Sequence, residues 1–197
     1  MNFTLKWLSP LVLKPHEDII DRIVRANISK VNQYCKMSPI IVDSNSLTIL
    51  DGHHRHYASL IIGLSKIPVI LVDYNSNDVV VDSWSLDLRE VKTEIIMELF
   101  RHLNSKGGKY CIKIGSVELY CDDDIFTLYW RVENIRQKIM SMGYNVVKIA
   151  DKKGLVLPPI QKQDITLVSS KGLRFPPKST RHIYKFFIPR DELSLKC

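Results

Sequence analysis

The sequence has few cysteines and no long apolar run. The four cysteines, Cys35, Cys111, Cys121 and Cys197, form no C-x-x-C pair and have no histidine at the spacing of a zinc site. This pattern favours reduced thiols in a reducing compartment. No apolar run approaches the roughly 18 residues of a membrane span, and the opening residues lack the apolar core of a secretory signal. We therefore expect a cytoplasmic protein with no membrane partner.

The overall composition is that of an ordinary folded protein. The chain has 197 residues, of which 45% are hydrophobic and 25% charged, and this excludes a disordered or collagen-like chain. The net charge is +7, and from Asp151 to Cys197 ten Lys or Arg stand against four Asp or Glu. This basic last quarter could attract nucleic acid, an acidic surface or a nucleotide, or it could be a solvated edge.

Alternating strand and helix patterns in the first half predict an α+β or mixed α/β fold. A helix should begin near Pro15, with a buried face that includes Val24 and Val31. A strand-turn-strand follows from Pro39. After Gly52 the apolar period changes, which predicts a second helix that ends near Gly63.

The second half continues the same alternation. Leu88 to Leu103 predicts an amphipathic helix, and Gly115-Ser116 lies between two β-prone runs that resemble a hairpin. The acidic triplet that ends at Asp124 precedes a helix, and we interpret it as an N-cap rather than a metal site. Tyr144 to Ile149 and Ile165 to Val168 are predicted strands.

The most informative stretch is Asp51-Gly52-His53-His54-Arg55, where a predicted strand ends and a helix begins. Glycine allows close approach of the backbone, and the unpaired N–H groups and dipole of a helix start suit a phosphate. The arginine and the histidines would add charge-assisted donors. The alternative is a helix that is merely polar at its surface. We predict a phosphate-binding turn.

Two carboxylates, Glu17 and Asp51, are the candidate catalytic groups. Asp51 could be a simple N-cap, but beside a phosphate a carboxylate is also the usual ligand of Mg²⁺. Glu17 could be no more than a first-turn helix residue. If its segment lies beside the strand that ends at Leu50, one carboxylate could bind the metal while the other accepts a proton.

A group of hydroxyl and cationic donors follows two prolines near the end of the chain. It comprises Lys178, Ser179, Thr180, Arg181 and His182. Such a run can bind the carboxylate or phosphate of a small anion, and the alternative is an exposed basic loop. Trp84 is ambiguous between a core residue and a pocket wall.

These motifs together resemble the ParB/sulfiredoxin superfamily. The resemblance is carried by Leu13 to Glu17, the strand-turn-strand from Pro39, and Ile49 to Arg55. The Asp-Gly-His-His-Arg form of the turn, joined to the run from Pro176 to His182, is similar to the archaeal free serine kinases.

The resemblance implies transfer of a phosphoryl group from ATP or ADP to the hydroxyl of free L-serine, with O-phospho-L-serine as a cysteine precursor. It implies that Glu17 is the general base and that Asp51 is the essential aspartate, which would hold Mg²⁺. The nucleotide phosphates would lie at Gly52, His53, His54 and Arg55. The serine pocket would be built from Trp84, Lys178, Ser179, Thr180, Arg181 and His182. We expect a nucleotide-binding core in residues 1–86 and a smaller α/β part in residues 87–197.

The main alternative is a nucleotide-dependent ParB-like DNA-binding regulator, which the basic last quarter favours slightly. No convincing helix-turn-helix pattern follows Tyr74, so we expect small-molecule substrates rather than nucleic acid. A sulfiredoxin-like reductase would need a cysteine in the phosphate turn, where this chain has histidines.

Overall fold

The computed structural model describes residues 3–103 and 107–196, in which helices and strands alternate as predicted for a mixed α/β fold. The α-helices are α1 (Asp21–Tyr34), α2 (His53–Ile62), α3 (Thr93–Arg101), α4 (Ile125–Ser141) and α5 (Lys162–Ser170). The strands are β1 (Phe3–Leu8), β2 (Lys36–Met37), β3 (Ile40–Asp43), β4 (Ile49–Asp51), β5 (Ile67–Val72), β6 (Val79–Ser83), β7 (Ser85–Leu86), β8 (Tyr110–Ile114), β9 (Val117–Asp122), β10 (Lys148–Ile149), β11 (Leu155–Val156), β12 (Thr180–Tyr184) and β13 (Leu193–Ser194). Among these described helices, none combines the length and hydrophobicity that a membrane crossing requires.

The chain divides into two compact units, each assembled from separate stretches of sequence. The first unit comprises Met1–Val80, Gln161–Pro177 and His182–Cys197, and the second comprises Val81–Ile160 and Lys178–Arg181. These units are defined by packing. The expected functional division into residues 1–86 and 87–197 stays a prediction.

The first unit is built on a four-stranded mixed sheet with the strand order β1-β5-β3-β4. Strand β5 is parallel to β3 and antiparallel to β1, and β4 lies antiparallel to β3. All four residues of β3 are buried, as expected for a central strand covered on both faces. The core packed around this sheet comprises Leu13, Val31, Met37, Ile40, Val42, Ile49, Ile67, Val69 and Leu195. It holds the end of β4, from which the chain enters α2.

Helix α1 begins at Asp21, so the start predicted near Pro15 was wrong. The residues before it are extended because their backbone bonds to neighbouring segments on two sides. On the side of β4, the N–H of Lys14 donates to the carbonyl of Leu47, and the carbonyl of Lys14 accepts from the N–H of Ile49, each at 2.9 Å.

On its other side the same segment pairs with Phe175. The N–H of Phe175 donates to the carbonyl of His16, and the N–H of Asp18 donates to the carbonyl of Phe175, each at 2.8 Å. Backbone groups that already have partners gain nothing from forming a helix. Tertiary pairing therefore outweighs the helix-start signals of Pro15 and Glu17.

The second unit contains a five-stranded antiparallel sheet in the order β10-β7-β11-β8-β9, with α3 and α4 against β9. The predicted N-cap is confirmed, because Asp124 accepts hydrogen bonds from the N–H groups of Phe126 at 3.3 Å and Thr127 at 3.0 Å. The predicted hairpin β8–β9 is also present. Helix α3 and strand β10 are shorter than their sequence patterns predicted.

Cys111 and Cys121 form a disulfide, so the expectation of reduced thiols was wrong. The two residues face each other in the register of β8 and β9, with their Cα atoms 4.1 Å apart. No cysteine in the described ranges is a free thiol. Spacing along the sequence carried no information about this register, which places the two side chains opposite each other.

The run from Ile165 to Val168 lies in helix α5, so the predicted strand was wrong. The helix start is favoured by Asp164, whose carboxylate accepts from the N–H of Gln161 at 3.3 Å. Both ends of the apolar run are buried, whereas Leu167 is 52% exposed. A short apolar run fits both the period of a helix and that of a strand, and packing decides which of the two forms.

Ile165→Ala should lower the free energy of unfolding by about 2–5 kcal/mol, because the side chain is fully buried. Leu167→Ala, on the exposed side of the same helix, should cost less than about 1 kcal/mol. In a strand the two residues would share one face. Equal losses in urea titrations would therefore contradict the helix.

Candidate functional site

The candidate site is the turn between β4 and α2, where Asp51 ends the strand and Gly52 has φ +103°. A Cβ at Gly52 would lie 2.9 Å from Nη2 of Arg55 and 3.1 Å from Cγ1 of Ile40. Both the positive φ and this close approach therefore require glycine. Arg55 folds back along the turn, and its Nη2 donates to the carbonyl of Pro39 at 3.3 Å.

The amino-terminal ends of α1 and α2 are adjacent. Nε2 of His54 accepts a hydrogen bond from the N–H of Ile20 at 3.0 Å, and Ile20 immediately precedes α1. Neither Ile20 nor Gly52 caps its helix with a side chain. The first N–H groups of a helix need acceptors and carry the positive end of its dipole. Two adjacent uncapped starts therefore favour an anion.

Two buried donors near this turn lack hydrogen-bond partners. Within the described residues, the buried side-chain polar atoms without a partner are Nε of Arg55, Oγ of Ser85 and the hydroxyl of Tyr184. Burial, followed by the nearby charge of Asp51, raises the pKa of Tyr184, so its hydroxyl is a neutral donor. An unsatisfied buried polar group costs about 1–3 kcal/mol. A ligand that brings acceptor oxygens would remove this cost.

Two guanidinium groups flank Asp51. Nη1 of Arg190 donates to Oδ2 of Asp51 at 2.6 Å, and Nη2 of Arg55 lies 3.5 Å from the same oxygen. The Asp51 side chain remains 37% exposed, so a ligand can reach it. Carboxylate oxygen is the ligand that Mg²⁺ prefers, usually together with phosphate oxygens. The carboxylate of Asp51 and the two guanidinium groups beside it therefore fit a magnesium ion and the phosphates of a nucleotide.

Glu17 lies in the extended segment beside β4 and is 7% exposed. Its Oε1 is 3.8 Å from Nε2 of His16. Nδ1 of His16 is 2.6 Å from the carbonyl oxygen of Ile49, on the strand that ends at Asp51. The structure therefore places Glu17 and Asp51 on neighbouring segments of the first unit.

Three histidines form a cluster next to this segment. The ring of His16 is 4.6 Å from that of His53 and 5.8 Å from that of His182, measured between centroids. Nε2 of His53 accepts from the N–H of His16 at 3.4 Å, and Nε2 of His182 is 2.9 Å from the hydroxyl of Tyr74. Burial lowers the pKa of all three histidines, and repulsion by the others adds to this effect at His53 and His182. The cluster is therefore neutral at pH 7.

Trp84, Thr180 and Arg181 form a separate cluster in the second unit. Nε1 of Trp84 donates to the carbonyl of Thr180 at 3.0 Å, and the guanidinium of Arg181 lies 5.7 Å from the centre of the Trp84 ring. Arg181 also donates to Oδ2 of Asp82 at 3.1 Å. Trp84 is thus bound to polar neighbours at both its edge and its face.

Lys178 and Ser179 precede this cluster. Lys178 is exposed and has φ +54°, a conformation that costs about 1–2 kcal/mol for a residue other than glycine. Ser179 is 2% exposed. Backbone strain of this kind often occurs at functional segments.

The structure divides the predicted site residues between the two units. The first unit holds Glu17, Asp51, Gly52, His53, His54, Arg55 and His182, and the second holds Trp84, Lys178, Ser179, Thr180 and Arg181. The side chains of His53 and His54 bond to protein groups, so these histidines support the turn. Their role toward phosphate stays a prediction, as do the roles of the other residues.

Comparison with known proteins finds no family model that matches the chain. A ParB-like protein from Sulfolobus acidocaldarius is 49% identical over 197 residues, which cover 99% of this chain and 98% of the relative. An ATP-dependent L-serine kinase from Desulfurococcus mucosus is 32% identical over 229 aligned residues, which cover 92% and 88%. The chain belongs to the ParB-like family. The resemblance that its motifs carry, to the group that contains the serine kinases, is confirmed.

A solved structure supports the same fold for this ParB-like protein. A free serine kinase variant in complex with AMP matches with a TM-score of 0.78 at 17% identity, over 98% of this chain and 92% of that chain. The predicted fold class is therefore confirmed.

The sequence patterns did not single out two residues of this site, Tyr184 and Arg190. Tyr184 lies in an ordinary strand, and Arg190 stands among the general basic residues of the last quarter. His16 belongs to the Lys-Pro-His-Glu motif, but no local pattern showed that its ring would bond to β4.

The ParB-like protein should lose stability as the pH falls below about 6.5. The pKa values of His16, His53 and His182 are lowered in the folded protein. The unfolded chain, with ordinary values near 6.5, therefore binds more protons in acid. The contribution is fully present above the unfolded value, and each histidine costs up to about 1.4 kcal/mol per pH unit below it.

Urea unfolding between about pH 7.5 and 5 measures this dependence. The control is His102→Gln, since that side chain is 71% exposed, and the variant should keep the parent's slope. A free energy of unfolding that stays constant over this range would contradict the neutral cluster.

Proposed function

We propose that this ParB-like protein is a free serine kinase that transfers a phosphoryl group from ATP or ADP to the hydroxyl of L-serine. The observation that carries the proposal is the turn at Gly52, which combines two adjacent uncapped helix starts with unsatisfied buried donors. Phosphate oxygens would satisfy these donors. The similarity to L-serine kinases supports serine as the acceptor. The product, O-phospho-L-serine, would serve cysteine biosynthesis.

The groups at the turn would bind the phosphates. Gly52 would allow close approach of the backbone, and the adjacent starts of α1 and α2 would offer N–H groups and positive potential. Arg55 supplies a charged donor. Asp51 would hold Mg²⁺, which when bound neutralises charge on the transferring group.

Glu17 would act as the general base. A serine hydroxyl is a poor nucleophile at neutral pH, and a positioned base that accepts its proton contributes typically about 10²–10⁴-fold. The proton would pass from the serine Oγ to a carboxylate oxygen of Glu17. Backbone pairing on both sides of the segment fixes this residue, so little reorganisation is required for the reaction.

The donors of the second unit would bind the amino acid. Lys178 and Arg181 offer positive charge for the serine carboxylate, and Ser179 and Thr180 offer hydroxyl groups. Trp84 would form the apolar wall. The role in serine binding that the resemblance implies for His182 stays a prediction.

A DNA-binding regulator is the alternative function, since the relative with 49% identity is named only as ParB-like. A helix-turn-helix needs two helices joined by a short turn. In residues 3–103 and 107–196, strands separate each α-helix from the next. Retention on DNA at moderate salt, without serine-dependent turnover, would nevertheless favour the regulator.

Incubation with Mg²⁺, L-serine and either ATP or ADP should yield O-phospho-L-serine, detected by mass spectrometry. Glu17→Gln should lower kcat by about 10²–10⁴-fold because the base is lost, while nucleotide affinity stays close to that of the parent. The matched control is Asp18→Asn, the neighbouring carboxylate, whose side chain is 43% exposed.

Different outcomes of this experiment test the role of Glu17 and the kinase activity itself. Equal turnover by Glu17→Gln and the parent would remove Glu17 from the mechanism. No product from the parent with either nucleotide would end the proposed function.

Thr180→Ala should raise the KM for serine by about 2- to 10-fold, the effect of one lost hydrogen bond. The KM for nucleotide should not change. Thr166→Ala in α5 is the control and should leave both values unchanged. A response confined to the nucleotide KM would assign Thr180 to the donor site.

A further inference from the structure

Arg190 lies in an exposed stretch of the first unit that is anchored on both sides. Ile188, before it, is 8% exposed. After it, Leu193 of β13 pairs with Met37 of β2, and Leu195 belongs to the core. The backbone is therefore held in place, and the arginine projects from a fixed base.

The side chain of Arg190 is more loosely held than its backbone. Its contact with Oδ2 of Asp51 is short, at 2.6 Å, but the Arg190 side chain is 61% exposed. An ion pair as exposed as this contributes little to stability and can exchange. Asp51 is also the carboxylate that the proposed function assigns to Mg²⁺. A guanidinium and a metal ion would compete for the same oxygen.

We propose that Arg190 is a phosphate-binding residue that pairs with Asp51 in the nucleotide-free protein and transfers to the nucleotide phosphates when they bind. The inference rests on the proposed function of the same site. A guanidinium presents a planar fork of donors that matches phosphate oxygens as well as carboxylate oxygens. Arg190 can therefore change partner without losing charge-assisted hydrogen bonds.

The surroundings of Arg190 support this exchange. The unsatisfied hydroxyl of Tyr184 lies close enough to both Asp51 and Arg190 to interact with their charges. Nη2 of Arg55 lies 3.5 Å from the same oxygen of Asp51, and Nε of Arg55 is unsatisfied. Acceptor oxygens that satisfy these donors would therefore arrive next to Arg190.

The exchange predicts opposite effects of Arg190 on two ligands. Without Arg190, Asp51 loses a competing cation and should bind a divalent ion more tightly. The nucleotide loses a charged donor and should bind more weakly. If Arg190 instead served only to hold Asp51 in position, both affinities would fall together.

The test measures the two affinities separately on the full chain. Binding of Mn²⁺ alone is followed by electron paramagnetic resonance of the free ion, and binding of MgATP and MgADP by calorimetry. For Arg190→Ala we expect about 2- to 5-fold tighter Mn²⁺ binding and about 10- to 100-fold weaker binding of the preferred nucleotide. Arg190→Lys keeps the charge without the fork and should give intermediate values.

The matched control is Arg89→Ala in the second unit. Arg89 is exposed, and its Nη2 lies 2.6 Å from Oδ2 of Asp87, so the variant removes a similar ion pair away from the turn. It should change neither affinity. Thermal unfolding should give both alanine variants the melting temperature of the parent, because both side chains are exposed.

The outcomes separate this inference from the proposed function. If the parent makes O-phospho-L-serine but Arg190→Ala binds nucleotide as the parent does, the role of Arg190 is overturned and the kinase stands. A parallel loss of both affinities also overturns the exchange. If the parent binds neither MgATP nor MgADP, both proposals are overturned.

Discussion

The extended segment from Lys14 to Asp18 shares its backbone hydrogen bonds with β4 on one side and with Phe175 on the other. Because these groups are satisfied in the extended form, the segment cannot take up the helix that its local sequence favours. Glu17 is consequently held beside the strand that ends at Asp51. Each chemical role proposed for Glu17 depends on this double pairing, which joins parts of the chain that are far apart in sequence.

The charge balance at the turn follows from the same arrangement. Arg55 and Arg190 flank one carboxylate, Asp51, just before the start of α2, so the turn carries an excess of positive potential that an anion can neutralise. The neighbouring histidines are kept neutral by burial and therefore add no further positive charge. Their hydrogen bonds instead join the Glu17 segment to the start of α2. The two arginines therefore provide the positive charge for an anion, whereas the histidines hold the Glu17 segment against the start of α2.

The features that could be predicted are those set by neighbours in sequence. Helix α2 was predicted correctly because Gly52 and Gly63 mark its two ends with residues that tolerate a positive φ. The N-cap at Asp124 was predicted because its own helix supplies the N–H groups that it accepts. The run from Ile165 to Val168 was mispredicted because four residues do not distinguish a helical period from that of a strand. The pairing of Cys111 with Cys121 was missed because it depends on strand register.

From the sequence alone, the turn between β4 and α2 and the family could be predicted, because the motif from Asp51 to Arg55 is one contiguous stretch whose strand end, glycine and helix start are set by neighbouring residues. Tertiary structure alone decided that Arg190 reaches Asp51 and that Phe175 supports the segment of Glu17. It also decided that Tyr184 lacks a partner. The contacts of Arg190 and Phe175 join residues more than a hundred positions apart. They form because residues 161–177 and 182–197 pack in the first unit together with residues 1–80. Local conformational preferences do not determine which distant segments pack together.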